Sequence, residues 1–225
     1  MSSKQPVVVS PSGKHTATLI FLHGLGDTGH AWASRLADAR PSYVKIVCPT
    51  AQTMPVTLNK GFRMPAWFDV KSLGPNAPED DKGIEKSKAI IDKLIEEEIK
   101  NGIEPSRIVL GGFAQGGALA LYTTLTNKHK LGGMIVLSCW LPLHKKFPGA
   151  IVGTNRDIPC LQAHGDCDPV VPYRWGQLTS TTLKGFLGNH EFKTYKGMAH
   201  SSSTWELQDV KDFLQQIVPE AKEKK

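Results

Sequence analysis

The sequence predicts an α/β protein, a doubly wound and mainly parallel sheet with helices on both faces. Short apolar runs recur along the chain with helix-like stretches between them, the alternation that builds such sandwiches. The central runs are continuously apolar, as in Leu19-Ile20-Phe21-Leu22, which suits strands buried on both faces of a parallel sheet. A length of 225 residues fits one α/β unit with a full core. Residues 1–225 are therefore expected to form a single domain, with about 1–12 as an N-terminal extension carrying an edge strand and about 220–225 as a basic tail.

Strands are expected at Thr16–His23, Val44–Cys48, Ser106–Gly112, Met134–Cys139, Ile158–His164 and Glu191–Lys196, with a short edge strand at Val7–Ser10. The clearest helix runs from about Asp81 to Lys100, because Ile84, Ile91, Ile95 and Ile99 share one stripe and Asn101-Gly102 stops it. Another starts at Ser203, which can form a capping box with Glu206, and carries Leu207, Val210, Phe213, Leu214 and Ile217 to Pro219. Pro49 to Asp80 breaks the rhythm. It is rich in Pro and Gly yet carries Met54, Val56, Phe62, Met64, Trp67 and Phe68. Structureless connections of that length are uncommon and often functional. Its apolar side chains must either pack on the core or line a channel.

One turn carries the chemistry. Gly111-Gly112-Phe113-Ala114-Gln115-Gly116-Gly117 lies between a strand-like and a helix-like run. It has the spacing of a nucleophile elbow, G-x-S-x-G, with Ala114 where serine belongs. Such an elbow holds its central residue on a strained turn, commonly with φ > 0, where a Cβ costs on the order of 1 kcal/mol. A plain turn would more comfortably hold Gly or Asn there. Alanine is serine without its Oγ, so Ala114 reads as a substituted nucleophile in an otherwise complete site.

A serine at 114 would need a base and an acid to orient that base. The chain supplies an acid and then a histidine, the order used by α/β-hydrolases. Of eight histidines, His200 is the best base, since Gly197-Met198-Ala199-His200 follows the last strand and precedes the capped helix. His164 and His23, each at a strand end, compete with it. The acid lies in His164-Gly165-Asp166-Cys167-Asp168-Pro169. Asp166 can close the turn through its own side chain. Asp168 is held extended by Pro169 and can point toward a neighbouring loop. Both stay open on this ground.

Acyl transfer also needs donors for the developing oxyanion. Gln115 offers one backbone N–H. His23-Gly24-Leu25-Gly26-Asp27 offers the second, with Leu25 N–H the expected donor. The same loop contains a full G-x-G-x-x-G, Gly24-Leu25-Gly26-Asp27-Thr28-Gly29. A dinucleotide site would require an acidic residue at the end of the next strand, which instead runs into Pro49-Thr50-Ala51. Asp27 would also set negative charge where pyrophosphate must sit.

The composition, 40% hydrophobic and 21% charged with a net charge of +6, is that of an ordinary soluble protein. Its lysines are scattered with no aromatic-interleaved stripe, which argues against nucleic acid. The four cysteines lack C-x-x-C spacing and read as buried free thiols of a reducing compartment. No metal-ligand spacing is visible. With no apolar signal core, no myristoylation start and no membrane-spanning run, the expected location is the cytosol.

Four segments, Phe21–His30, Gly111–Gly117, Leu137-Ser138-Cys139-Trp140-Leu141-Pro142 and His164–Pro169, closely resemble the acyl-protein thioesterases. These are cytosolic α/β-hydrolases of the lysophospholipase/carboxylesterase group. The likeness runs from about Thr16 to Val218 and includes Lys196–Ser202. It implies a serine at position 114, a triad completed by Asp168 (not Asp166) and His200, and an oxyanion hole formed by Leu25 and Gln115. It further implies cofactor-free hydrolysis of S-palmitoyl groups on protein cysteines, with side activity on lysophospholipids and small esters and transient membrane-surface contact. Met64, Trp67, Phe68 and Trp140 then stand near an acyl-chain tunnel. Ala114 departs from the family, so the chain as written is expected to be inactive. The alternative is a non-catalytic acyl-binding pseudohydrolase. A second departure is that the first cysteine is Cys48, whereas members that cycle onto membranes use one near the N-terminus. The oligomeric state, monomer or weak dimer, is left open.

Overall fold

A computed structural model describes residues 4–222; residues 1–3 and the last three residues of the basic tail lie outside it. The elements follow in the order β1 (Val7–Val9), β2 (Ala17–Leu22), α1 (Gly29–Ala37), β3 (Val44–Cys48), β4 (Thr53–Val56), β5 (Phe62–Pro65), α2 (Asp81–Lys100), β6 (Ile108–Phe113), α3 (Gln115–Thr126), β7 (Gly133–Leu137), β8 (Cys160–Gly165), α4 (Tyr173–Lys184), β9 (His190–Tyr195) and α5 (Thr204–Ile217). Seven strands form one sheet in the order β1-β3-β2-β6-β7-β8-β9. Only β1 runs antiparallel, pairing Val7 with Cys48 on β3. This is the α/β-hydrolase arrangement the sequence predicted. Among the described residues no helix is long and apolar enough to cross a membrane.

The continuously apolar strands divide their side chains between two layers. Leu19 and Phe21 of β2 pack with Trp32 and Leu36 of α1 and with Val210, Phe213 and Leu214 of α5. Ile20 and Leu22 point the other way, to Ile84, Ile91 and Ile95 of α2 and Leu119 of α3. Leu183 of α4 joins Leu121 and Leu125 of α3 on that second face. Burying each such aliphatic side chain stabilises the fold by roughly 1.5–3 kcal/mol.

Helix α2 matches its expected bounds. Asp80 caps it by accepting Gly83 N–H at 3.0 Å, and Gly102 follows it at φ +96, the left-handed conformation that glycine adopts without strain. Ser87 extends the buried stripe of isoleucines.

Two expectations need correction. The stretch from Pro49 to Asp80 is not without structure, because β4 and β5 form a hairpin pairing Met54 with Met64 and Pro55 with Arg63. Four-residue strands, each containing a proline, carry too little alternation to be recognised from sequence. The capping box of α5 is only half made. Ser203 Oγ accepts Glu206 N–H at 3.2 Å, but the Glu206 carboxyl is fully buried and neither oxygen has a partner. Burial first, and then the nearby Asp209 charge, push that carboxyl up to about 8.

Candidate active site

The elbow is built where β6 runs into α3. Ala114 has φ +51 and ψ −118, a conformation costly to any residue with a Cβ. Two hydrogen bonds fix it. Its N–H donates to Leu137 O at 2.9 Å on β7, and its carbonyl accepts Ala118 N–H at 2.9 Å as the first bond of the helix. Helix and strands then approach too closely for side chains: a Cβ on Gly116 would lie 2.2 Å from Leu22 O, and one on Gly112 would lie 2.4 Å from Gly116.

Asp168 and His200 meet beside this turn. His200 Nδ1 lies 2.7 Å from Asp168 Oδ2. Because the carboxylate can only accept, Nδ1 carries the proton and leaves Nε2 as the free basic atom. The imidazole lies against Phe113, the residue before Ala114, with ring centroids 4.7 Å apart. Phe113 in turn packs on Trp32.

The Asp168 carboxylate is buried and fully engaged. Its Oδ1 accepts Val170 N–H at 2.8 Å and Val171 N–H at 2.9 Å. Burial alone would raise its pKa, but hydrogen bonds from His164, His200 and Val170 outweigh that and hold it well below the usual carboxylate range. Asp168 reaches the neighbouring loop as expected, through Oδ2 to His200, but the division of labour between the two acids is not the expected one. Asp168 closes its own turn, while Asp166 Oδ1 reaches across to accept Gly197 N–H at 2.7 Å.

The two competing histidines are fully buried and have other work. His164 Nε2 lies 2.8 Å from Val171 O and 3.5 Å from Asp168 Oδ2; since a carbonyl only accepts, that nitrogen donates toward both. His23 sits behind the expected oxyanion loop. Its Nδ1 donates to Gly24 O at 2.6 Å and its Nε2 accepts Ala51 N–H at 3.0 Å. Nε2 as an acceptor makes the ring neutral, and desolvation, opposed by the Gly24 bond and Asp27, lowers its pKa.

The loop from His23 to Asp27 rests on the elbow, since a Cβ on Gly24 would lie 3.5 Å from Ala114 Cβ. Gly26 N–H is taken by Pro65 O at 2.8 Å and Asp27 N–H by Gly24 O at 3.2 Å. Leu25 N–H has no partner among the described residues. Gln115 is the first residue of α3, where a helix leaves its N–H unbonded. The two donors expected for an oxyanion thus lie on elements that touch each other at Ala114.

A model of the phospholipase/carboxylesterase family matches residues 3–218. The chain belongs to this family. It is 45% identical over 225 residues to an acyl-protein thioesterase 1 of Gibberella zeae, covering 95% of this chain and 96% of that one. It is 42% identical over 235 residues to an acyl-protein thioesterase 1 of Neurospora crassa, covering 100% and 96%. Among solved structures, Zea mays acyl-protein thioesterase 2 superposes with a TM-score of 0.86 at 33% identity, over 95% of this chain and 99% of that one. Arabidopsis thaliana SOBER1 gives 0.86 at 31%, over 90% and 99%.

In this phospholipase/carboxylesterase chain an apolar cavity of about 260 Å³ opens between the segment after β5 and α4, walled by Phe68, Val70, Leu73, Trp140, Trp175 and Leu178. Of the four residues expected near a tunnel, Phe68 and Trp140 line this cavity. Met64 and Trp67 do not. Met64 Sδ instead sits 3.6 Å from where a Cβ of Gly26 would be. Trp67 is turned inward because its indole N–H finds its acceptor in the core, His23 O at 2.8 Å.

Sequence reasoning missed three supporting groups. These are Phe113 under His200, the His164 contact to Asp168, and the Gln115 side chain, which bonds to the backbone of Trp67 and Phe68. Only His164 left a signal, standing four residues before Asp168 at a strand end. Cys167 also departs from expectation. It is exposed between the two aspartates, whereas Cys48, Cys139 and Cys160 are buried, with burial pushing the Cys48 thiol up to about 12.

Proposed function

We propose that this chain carries the site of a serine hydrolase that removes long-chain acyl groups from protein cysteines, with Ala114 in the nucleophile's place. The supporting observation is the buried Asp168 carrying His200 at 2.7 Å beside a strained elbow that presents only a methyl group. The names of the relatives, acyl-protein thioesterases, agree with that substrate class.

With a serine at 114, His200 Nε2 takes the hydroxyl proton as Oγ bonds to the thioester carbon. The developing oxyanion accepts from Leu25 N–H and Gln115 N–H. The C–S bond then breaks and His200 returns the proton to the leaving sulfur. Water next gives a proton to the same nitrogen as it attacks the acyl carbon; the carbon–Oγ bond then breaks, His200 returns the proton to Oγ, and the fatty acid leaves. Asp168 orients the ring and stabilises its charged form throughout. As written, Ala114 forms no acyl-enzyme, and catalysis falls to the residue left by binding and the donor pair, about 10³–10⁴ over water. Contact with substrates is with acylated proteins at a membrane surface, from the cytosol.

The test is A114S against the parent on a palmitoyl-cysteine peptide, with a fluorophosphonate probe for the serine. Hydrolysis and labelling by the variant alone are expected. A folded variant that does neither sinks the proposal. The 260 Å³ apolar cavity favours a second reading, an acyl-binding protein without turnover, which that result would leave standing. A preference of A114S for lysophospholipid over the acyl peptide would shift the substrate class instead.

A further inference from the structure

Residues 66–69 belong to no helix or strand, yet the backbone there is tied on all sides. Ala66 N–H donates to Gln52 O at 3.1 Å, and Asp69 N–H donates to Asp80 Oδ2 at 2.9 Å. Trp67 O accepts from Ser87 Oγ of α2. Two more groups go to one side chain. Gln115 Oε1 accepts Trp67 N–H at 2.9 Å, and Gln115 Nε2 donates to Phe68 O at 2.7 Å. That fit admits one amide orientation, since the flipped amide would set donor against donor. The Gln115 side chain is fully buried at 1% exposure, so no water replaces either bond.

This strap joins two parts of the site. Toward the cavity it presents Phe68. Toward the chemistry it bonds Gln115, which carries one candidate oxyanion donor, and through the Trp67 indole it bonds His23 O, two residues before Leu25, which carries the other. A load on the cavity wall therefore reaches the donor pair through two hydrogen-bonded peptide units.

We propose that the Gln115 side chain is a positioning residue that makes acyl-chain occupancy of the cavity felt at the oxyanion donors. A long chain packed on Phe68 holds the strap, the strap holds the Gln115 amide, and the two N–H groups are fixed for the transition state. The inference rests on the hydrolase reading above. Its signature is kinetic. Binding energy from a remote part of the substrate that is realised only in the transition state raises kcat, whereas a passive pocket only lowers KM.

The experiment compares kcat and KM of A114S on acetyl and decanoyl thioesters of one thiol. A decanoyl kcat higher by about fivefold is expected, the weight of one buried hydrogen bond. Q115M, similar in shape but without the amide, should bring the kcat ratio to about one while the KM difference persists. Ser87→Ala loosens the strap from the side away from the elbow, should also lower the ratio, and decides the matter if Q115M does not fold. A chain-length effect on KM alone in A114S overturns the inference and leaves the hydrolase reading intact. So does a kcat ratio unchanged in Q115M, or in Ser87→Ala where Q115M does not fold. An A114S chain that turns over neither thioester overturns the hydrolase reading, and this inference with it.

Discussion

Asp168 holds His200 through Oδ2 at 2.7 Å while its other oxygen is pinned by two backbone N–H groups, from Val170 and Val171. The carboxylate therefore has no freedom to rotate away from the imidazole. Asp166, two residues earlier, spends an oxygen on Gly197 N–H and serves the loop that carries His200. In the A114S background, Asp168→Asn should lower kcat by about 10⁴, because the amide favours the wrong histidine tautomer. Asp166→Asn should cost much less, within about tenfold, because the amide oxygen still accepts from Gly197. Steady-state kinetics on one thioester checks both, and equal losses would reopen the assignment of the acid.

Ala114 at φ +51 and ψ −118 carries strain that a glycine would not. Ala114→Gly gives up some unfolded-state entropy yet should stabilise the fold by about 1 kcal/mol net. For a chain of this size that is a rise of about 2–4 °C in Tm. A fall in Tm would mean that the elbow is not strained.

Gly116 meets Leu22 O and His23 O so closely that a methyl group cannot be accommodated. Gly116→Ala should lower stability by about 1–3 kcal/mol as α3 is pushed off β2. In A114S it should also cut kcat/KM by about 10², since the elbow moves with the helix. Thermal unfolding and kinetics test the two effects separately.

Glu206 makes stability depend on pH. Its carboxyl is raised from 4.5 to about 8 in the folded chain, by burial and then by Asp209. Below the lower value it is protonated in both states and costs nothing. Between the two values the folded chain keeps a proton that the unfolded chain has released. Stability then falls with rising pH, by up to about 1.4 kcal/mol per pH unit. Above about 8 the cost is full and constant. Glu206→Gln should flatten the Tm–pH profile across that window and raise Tm most at its alkaline end. A slope identical to the parent's would remove Glu206 as its source.

The sheet, the elbow and the histidine were legible in the sequence because each rests on local pattern. Leu19-Ile20-Phe21-Leu22 announces a strand buried on both faces. Gly112-x-Ala114-x-Gly116 announces a turn that only small residues allow. The isoleucine stripe of α2 gave its bounds to the residue. The hairpin β4–β5 was illegible because Pro55 and Pro65 interrupt strands of four residues, and such strands owe their existence to the pairing partner.

By itself the sequence determined the order of the strands' chemistry and the family of the chain, since period, spacing and motif are properties of neighbours along the backbone. The resemblance named Asp168 over Asp166, but the tertiary structure alone decided how it is held against His200. It also decided that His164 and His23 support other groups, and that Trp67 turns into the core while Phe68 lines the cavity. Those outcomes depend on which buried donor finds which buried acceptor. An unpaired polar group inside costs about 1–3 kcal/mol, and its partner here stands tens of residues away, as Gln115 does from Trp67.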